Sequence, residues 1–119
     1  MSYDHNNIFA KILRGEIPCK KVYEDEFALA FHDIHPQRKI HVLVIPKSEY
    51  ATFTEFAAQA NEAQISGYIR AIKKVADTLG VTEDGYRILS NVGGHGGQEV
   101  PHLHVHLFAG ENVGPMVVR

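Results

Sequence analysis

The most regular pattern of apolar and polar positions along the chain predicts a long helix over residues 61–79. Apolar side chains recur there every three or four residues, which places them on one face of a helix, and Gly80 supplies a stop at the C-terminal end. A shorter pattern near the start predicts a second helix that Asn6 or Asn7 caps and Gly15 ends. The apolar side of this short helix consists of Ile8, Phe9, Ile12 and Leu13.

Four short segments rich in apolar or β-branched residues predict strands, at residues 27–31, 40–45, 85–91 and 101–109. A turn at residues 35–38, which contains Pro36, separates the first two strands. The elements thus follow the order helix, strands, helix, strands. This order is typical of an α+β domain in which the strands form an antiparallel sheet and the helices cover one of its faces.

Composition and charge narrow the class of protein. The chain has 119 residues, 45% of them hydrophobic, which suits one domain with its own core. Its net charge of -2 provides no basic field for a nucleic acid polymer, and no apolar run is long enough to span a membrane. The first residues do not resemble a signal peptide, and Cys19 is the only cysteine, so no internal disulfide can form. We therefore expect a cytoplasmic globular protein.

Histidines alternate with apolar residues in the last predicted strand. Because alternate side chains of a strand point to the same face, His102, His104 and His106 share one side, and the residues between them occupy the other. The apolar partners that can anchor the strand in the core are Leu103, Val105 and Leu107. Three polar rings on a single face favour a functional cleft over a structural role.

A metal site is the first alternative use of these rings. Zinc holds imidazole nitrogens at about 2 Å, whereas the outer pair, His102 and His106, is about 13 Å apart along an extended strand. The three rings cannot easily share one ion, so a metal site would need His41 or His32 to complete its ligands. The chain places no thiolate or carboxylate at ligand spacing beside them, and we therefore expect catalysis rather than metal binding.

A glycine-rich segment at residues 93–97 leads into the histidine strand. Its glycines permit positive φ angles and can expose backbone N–H groups as a site for an anion, although such segments also simply form turns. Gln98 follows with a neutral side-chain donor. A phosphate-binding loop next to nucleophilic imidazoles predicts chemistry on phosphorus.

The segment of residues 91–109 contains His-Leu-His-Val-His-Leu-Phe and resembles the signature of the histidine-triad family, in which histidines alternate with apolar residues. Upstream segments at residues 8–12, 16–18, 31–34 and 41–47 are similar to the Hint branch of that family, so the resemblance covers nearly the whole chain. It implies one histidine-triad (HIT) domain over residues 1–119. It also implies a five-stranded antiparallel sheet with a short N-terminal helix and one long helix, and a homodimer.

The resemblance further implies hydrolysis of the P–N bond in purine nucleoside 5′-phosphoramidates of the AMP-amine or AMP-lysine type. His104 would attack the α-phosphorus, because neutral imidazole is a good nucleophile near neutral pH, and water would then release AMP or GMP. His102, His106 and His41 would support this step. The family uses no metal or other cofactor, so hydrogen-bond donors must stabilise the phosphoryl oxygens. The candidates for that role are Asn91, Gly97, Gln98, Val100 and His106.

The remaining matches imply a nucleoside site. Asp33 would accept hydrogen bonds from both ribose hydroxyls, because a carboxylate can accept from two donors; its alternative role is to cap the turn before Pro36. The other residues that the resemblance assigns to the nucleotide are Ile8, Phe9, Ile17, Phe31, His32, Ile34 and Leu43. Each apolar member of this set could equally be an ordinary core residue.

Two segments depart from the family pattern. Many members carry a small hydroxyl residue where this chain has Glu99, whose carboxylate would repel a phosphate, so we assign its side chain no catalytic role. Residues 111–119 match only loosely, which leaves the preferred substrate open. Two further interpretations stand beside the first: a dinucleoside polyphosphate hydrolase with the same nucleophile, and a nucleotide-binding regulatory protein whose turnover is incidental.

Overall fold

The computed structural model describes residues 3–118, so Met1, Ser2 and Arg119, at the ends of the predicted domain, lie outside the described residues. Within this range the elements, in chain order, are α1 (Ile8–Leu13), β1 (Lys21–Glu24), β2 (Ala28–His32), β3 (Ile40–Pro46), α2 (Phe53–Gln59), α3 (Glu62–Leu79), β4 (Arg87–Leu89), α4 (Gly93–Gly96) and β5 (Val105–Ala109). None of these helices combines the length and the hydropathy that crossing a membrane requires.

All the strands of this range form one antiparallel sheet in the order β1-β2-β3-β5-β4. β3 lies at the centre, where it pairs with β2 on one side and β5 on the other. In the pairing of β3 with β5, His41 is opposite Phe108 and Leu43 is opposite His106. The predicted α+β class and the five-stranded antiparallel sheet are confirmed, and the register brings the histidine strand beside His41.

The two faces of the sheet carry separate apolar clusters. The larger cluster packs α3 against one face, with Tyr68, Ile72 and Val75 among the buried residues of the helix. The smaller cluster, on the other face, joins Phe9 of α1 to residues of β2 and β3, namely Leu29, Phe31, Leu43 and Ile45. The prediction that the helices cover only one face is therefore wrong. β2 and β3 carry buried apolar residues on both faces of the sheet. Because α3 covers only one face, α1 is needed to cover the other.

The helix ends follow the capping signals of the sequence. The Asn61 side chain accepts a hydrogen bond from the backbone N–H of Gln64, and the Gln64 side chain accepts from the backbone N–H of Asn61. This reciprocal pair is a capping box and sets the start of α3, which ends at Gly80 in the left-handed region with φ 72°. Asn7 caps α1 by accepting from the backbone N–H of Ala10 at 2.9 Å. Both predicted helices are confirmed.

The last strand is shorter than the pattern predicts. β5 begins at Val105 rather than at residue 101, because the preceding backbone N–H groups pair outside the sheet. His102 donates to the carbonyl of Val100, and Leu103 donates to that of Tyr50. The chain therefore approaches the sheet through a turn and enters it only at Val105.

Other element boundaries also differ from the prediction. The predicted strand over residues 85–91 contracts to Arg87–Leu89, and the glycine-rich segment forms the single turn α4, which ends at Gly97 with φ 77°. The pattern does not predict β1 or α2. Each is short, and β1 is a charged strand at the edge of the sheet, where the outer residues are exposed and leave no clear apolar alternation.

Candidate active site

The three histidines of the motif lie on the side of the sheet that α1 covers. His102 and His104 are buried, and His106 is half-buried. The intervening residues belong to the cluster beneath α3, which contains Leu103, Val105 and Leu107. The predicted separation of imidazoles from apolar side chains is thus confirmed, although only His106 belongs to β5 itself.

His104 has a defined tautomer. Its Nδ1 lies 2.7 Å from the backbone carbonyl oxygen of His102. A carbonyl can only accept, so Nδ1 carries the proton and the neutral ring keeps its lone pair on Nε2. The Phe9 ring contacts the His104 ring edge to face, with the centroids 5.0 Å apart. The orientation of the His104 ring is therefore set by a backbone group and an aromatic contact.

The tautomer of His106 follows from a chain of two hydrogen bonds. The backbone N–H of Gln37 donates to Nδ1 of His41 at 3.2 Å, so the proton of neutral His41 lies on Nε2. That nitrogen is 2.9 Å from Nδ1 of His106, which must accept. Neutral His106 consequently carries its proton on Nε2, as a donor. The sequence gives no signal for the contribution of Gln37, because it is made by a backbone group.

His102 is held through both ring nitrogens. Its Nε2 donates to the backbone carbonyl of Pro46 at 2.9 Å, so its Nδ1 is an acceptor. The hydroxyl of Tyr3 lies 2.5 Å from this Nδ1. Sequence reasoning does not identify Tyr3, since it stands 99 residues from His102 along the chain and belongs to no motif.

Burial keeps the rings of the site neutral. Desolvation lowers the pKa of His102 to about 4 despite its bond to Pro46. Desolvation, followed by repulsion from His104 and His41, lowers the pKa of His106 to about 4 as well. Burial also lowers the pKa of His104 and that of His41, the latter against the attraction of Asp33. At neutral pH all four rings are therefore uncharged, and each has one N–H group and one nitrogen lone pair.

A cleft of about 230 Å³ opens onto His104 and His106. Several predicted nucleotide-binding residues meet in its lining: Phe9, Asp33, Leu43, Asn91, Gly97 and Val100. Glu99 also lines this cleft. The cleft therefore brings together residues of α1, β3, β5 and the loops that flank α4, which are far apart along the chain.

Gln98 is engaged elsewhere. Its side-chain amide donates to the carbonyl of Ala51 at 2.6 Å and to that of Val100 at 2.9 Å. Its side-chain oxygen accepts from the backbone N–H of Gly93. In this arrangement the Gln98 side chain stabilises the loop around α4 and does not present its amide to a phosphate.

The contacts of Asp33 match the turn-capping role considered for it. One carboxylate oxygen accepts from the backbone N–H of His35 at 2.8 Å, which is the turn-capping role. The other lies 3.5 Å from Nε2 of His41. Asp33 also lines a second, wider depression of about 740 Å³ that His32 and Ile34 share.

The remaining apolar residues of the predicted nucleoside set differ in exposure. Phe31 and Leu43 are buried in the smaller cluster, and Ile17 is half-buried. Ile8 and Ile34 are exposed, by 41% and 81% respectively. Ile34 lines the wider depression, and an exposed apolar side chain at such a place is typical of a surface that a ligand covers.

Asp33, His41 and His106 could hold a metal ion, since one ligand atom of each lies within 4.8 Å of the others. The expectation that no carboxylate lies at ligand spacing is therefore wrong. The pairing of β3 with β2 and β5 brings Asp33 to these rings, which spacing along the chain does not reveal. Two histidines and one carboxylate are a set that divalent transition metals accept.

Comparison with known proteins gives a consistent result. The family described as HIT domain matches residues 14–113. The chain is 59% identical over 118 residues to an uncharacterized HIT-like protein of Azospirillum brasilense, with 99% of this chain and 97% of that protein covered. It is 44% identical over 112 residues to the purine nucleoside phosphoramidase of Escherichia coli K12, with 94% and 93% covered.

Solved structures agree with these relatives. A histidine triad protein from Clostridium difficile superposes with a TM-score of 0.86 at 38% identity, covering 98% of this chain and 100% of the other. A HIT family hydrolase from Clostridium thermocellum gives a TM-score of 0.83 at 39% identity, covering 97% and 99%. The resemblance that the motifs indicate is thus confirmed over the whole fold.

The buried neutral state of His102 predicts how stability depends on pH. Between pH 6.5 and about pH 4 the unfolded chain binds a proton at this residue that the folded chain does not. Above pH 6.5 the ring is neutral in both the folded and the unfolded chain and costs no stability. As the pH falls through this window, this residue lowers the free energy of unfolding by about 1.4 kcal/mol per pH unit. Denaturant titrations across the window measure the decrease in the free energy of unfolding.

His106, whose pKa is also lowered to about 4, contributes in the same window, as do carboxylates, so the His102 ring itself is followed by NMR. Its ring resonances should remain those of the neutral form through most of the interval. A titration midpoint close to 6.5 for this ring would contradict the shift that burial produces.

Proposed function

The chain belongs to the HIT family, and on that premise we propose that it hydrolyses the P–N bond of purine nucleoside 5′-phosphoramidates. The main support is that His104, with a lone pair on Nε2, and His106, with a proton on Nε2, line the same cleft. A nucleophile and a neutral donor side by side are what attack on phosphorus requires. The name of the relative in Escherichia coli K12, purine nucleoside phosphoramidase, supports the same substrate class.

In the proposed reaction, Nε2 of His104 attacks the α-phosphorus and forms a P–N bond to the ring. The bond from phosphorus to the substrate amine breaks, and the amine nitrogen takes up a proton from solvent as it leaves. Water then attacks the nucleotidyl-imidazole and gives up a proton to solvent, which releases the nucleoside monophosphate and returns the electron pair to His104. Imidazole suits both steps, because it is nucleophilic when neutral and a good leaving group once it is phosphorylated.

Neighbouring groups have supporting roles in this proposal. His106 donates its Nε2–H to a phosphoryl oxygen as negative charge develops there. His41 and the backbone of Gln37 keep that proton on the outward nitrogen, and His102 orients His104 through its carbonyl. None of these roles requires a charged ring, which agrees with the lowered pKa values.

The proposed nucleotide site extends from the cleft into the wider depression. The phosphate lies near Asn91, Gly97 and Val100, with Gln98 holding their loop in place. The free acceptor capacity of Asp33 receives the ribose hydroxyls. The base lies against the apolar and aromatic surface to which Ile8, Phe9, Ile17, Phe31, His32, Ile34 and Leu43 contribute.

Two other functions use the same site. A dinucleoside polyphosphate hydrolase would need the same nucleophile, and a nucleotide-binding regulator would need the same pocket. A panel of nucleoside 5′-phosphoramidates and dinucleoside polyphosphates separates these functions. Faster cleavage of the phosphoramidates supports the proposal, and faster cleavage of the polyphosphates contradicts it. Tight binding without turnover on either class favours the regulator.

Replacement of His104 by Ala should abolish turnover and leave the binding of a nucleoside monophosphate largely intact, because the role of His104 is covalent. Rapid mixing of the unaltered protein with substrate should yield a mass increase of one nucleotidyl group, mapped to His104. His5→Ala, at an exposed histidine outside the cleft, serves as the control and should react normally. Near-normal turnover in His104→Ala would falsify this mechanism.

Turnover should survive exhaustive removal of metal ions. His41 and His106 are already joined by a hydrogen bond, and Asp33 lies beside them, so the three side chains have partners without an ion. Rates measured before and after dialysis against a chelator should agree. A loss of activity that zinc restores would instead assign Asp33, His41 and His106 to a catalytic metal.

We also propose that the working unit is a homodimer formed through the open edge at β4. An apolar groove of about 240 Å³ lies beside this edge strand, between α2 and α3. Ile69, Ile88 and Phe53 line it and are 56%, 49% and 51% exposed. A two-fold contact would pair the edge strands and cover these side chains.

The C-terminal segment lies near the same edge. Arg87 of β4 donates to the carbonyls of Gly114 and Pro115, and Arg38 donates to that of Val113. In the dimer this anchored segment would approach the partner's phosphate site, which would make both sites depend on assembly.

Sedimentation equilibrium at micromolar concentration should give the mass of two chains, and Ile69→Lys should reduce it to that of one. Thr78→Lys provides a matched control, because it adds the same charge on the same helix nine residues away, which is the opposite side of α3. A fully active single chain in the unaltered protein would end the dimer proposal.

A further inference from the structure

We propose that Tyr3 is a positioning residue for His104 and acts through His102, an inference that rests on the nucleophilic role proposed for His104. The Tyr3 hydroxyl lies 2.5 Å from Nδ1 of His102. The other nitrogen of that ring donates to the carbonyl of Pro46, so the hydroxyl must be the donor. The side chain from the N-terminal segment thus completes the hydrogen bonding of the His102 ring.

Burial makes this contact important. The His102 side chain is completely buried, and an acceptor nitrogen without a donor is costly in such surroundings. Burial also raises the pKa of Tyr3 above its ordinary value of 10.0, so the hydroxyl retains the proton that it donates. With both nitrogens bonded, the ring has one tautomer and one orientation.

His102 acts on the nucleophile through its backbone carbonyl and through the Phe9 ring. The backbone carbonyl of His102 accepts the Nδ1–H of His104 at 2.7 Å, and this bond sets the position of the attacking Nε2. Phe9 contacts both rings, with centroid distances of 5.0 Å to His104 and 6.5 Å to His102. A His102 ring that is bonded at both nitrogens restrains the backbone whose carbonyl orients His104. A rotation of that ring would also disturb Phe9, which packs against both imidazoles.

An ordered turn places Tyr3 at this position. Asp4 accepts from the backbone N–H of Asn6 at 2.9 Å and, through its carbonyl, from the side chain of Asn7 at 2.8 Å. Asn7 in turn caps α1, so Tyr3 is tied to the same helix that brings Phe9 to the site. The Tyr3 ring also contacts the His102 ring edge to face, at a centroid distance of 5.6 Å.

Tyr3→Phe is the decisive variant, because it retains the ring and its contacts and removes only the hydroxyl. On the phosphoramidate substrate we expect kcat to fall by between about twofold and tenfold, the range for the loss of one neutral hydrogen bond. KM should not change, because Tyr3 lines neither depression of the nucleotide site. His5→Ala removes the other aromatic neighbour of Tyr3, retains the hydroxyl, and should have the kcat of the unaltered protein.

A second measurement reads the rings directly. Nitrogen-15 NMR of histidine-labelled protein should show His102 protonated at Nε2 in the unaltered chain, and a changed Nδ1 resonance in Tyr3→Phe together with a shift of the Nδ1–H signal of His104. Unchanged His104 signals and unchanged kcat in Tyr3→Phe would overturn the proposal, as would a change in KM alone. If the unaltered protein does not cleave phosphoramidates, the proposed function fails, and the NMR comparison still decides whether Tyr3 positions His104.

Discussion

The hydrogen bond from Nδ1–H of His104 to the carbonyl of His102 is the contact on which the candidate site depends. It selects the tautomer with the lone pair on Nε2, at a residue that lines the cleft. Its acceptor is a backbone carbonyl, which can accept a hydrogen bond but cannot donate one. The neighbouring rings follow the same design. The Gln37 N–H sets the tautomer of His41, and the Pro46 carbonyl sets that of His102.

The sheet fixes part of this arrangement. Pro46, whose carbonyl accepts from His102, and His41, which accepts from the Gln37 N–H, both belong to β3, the central strand, which is paired on both sides. The apolar cluster beneath α3 anchors the alternate residues of the histidine segment from the opposite face. The energetic cost of burying several imidazoles is met by hydrogen bonds to groups that the core already fixes, and neutrality of the rings follows from the same burial.

The edges of the fold differ from this rigid centre. β4 has only three residues, it exposes Ile88, and its Arg87 holds the C-terminal segment. At the other end of the chain, the N-terminal segment reaches the buried His102 through Tyr3. The N-terminal segment therefore reaches the buried histidines from outside the sheet, whereas the C-terminal segment is held at the edge strand.

The sequence by itself determined the features that depend on near neighbours in the chain. The helix over residues 61–79, the cap at Asn7, and the separation of His102, His104 and His106 from the apolar residues between them follow from periodicity and local hydrogen bonding. The HIT resemblance also rests on contiguous residues, and it identified the family and the five-stranded sheet.

The tertiary structure alone decided the contacts that cross the sheet. It placed α1 on the face opposite α3 and turned the amide of Gln98 towards its own loop. It also set Asp33 beside His41 and His106 and brought Tyr3 to a ring 99 residues away. The physical reason is that these contacts depend on strand register and on backbone groups, which every residue carries alike, so no side-chain pattern in the sequence can indicate them.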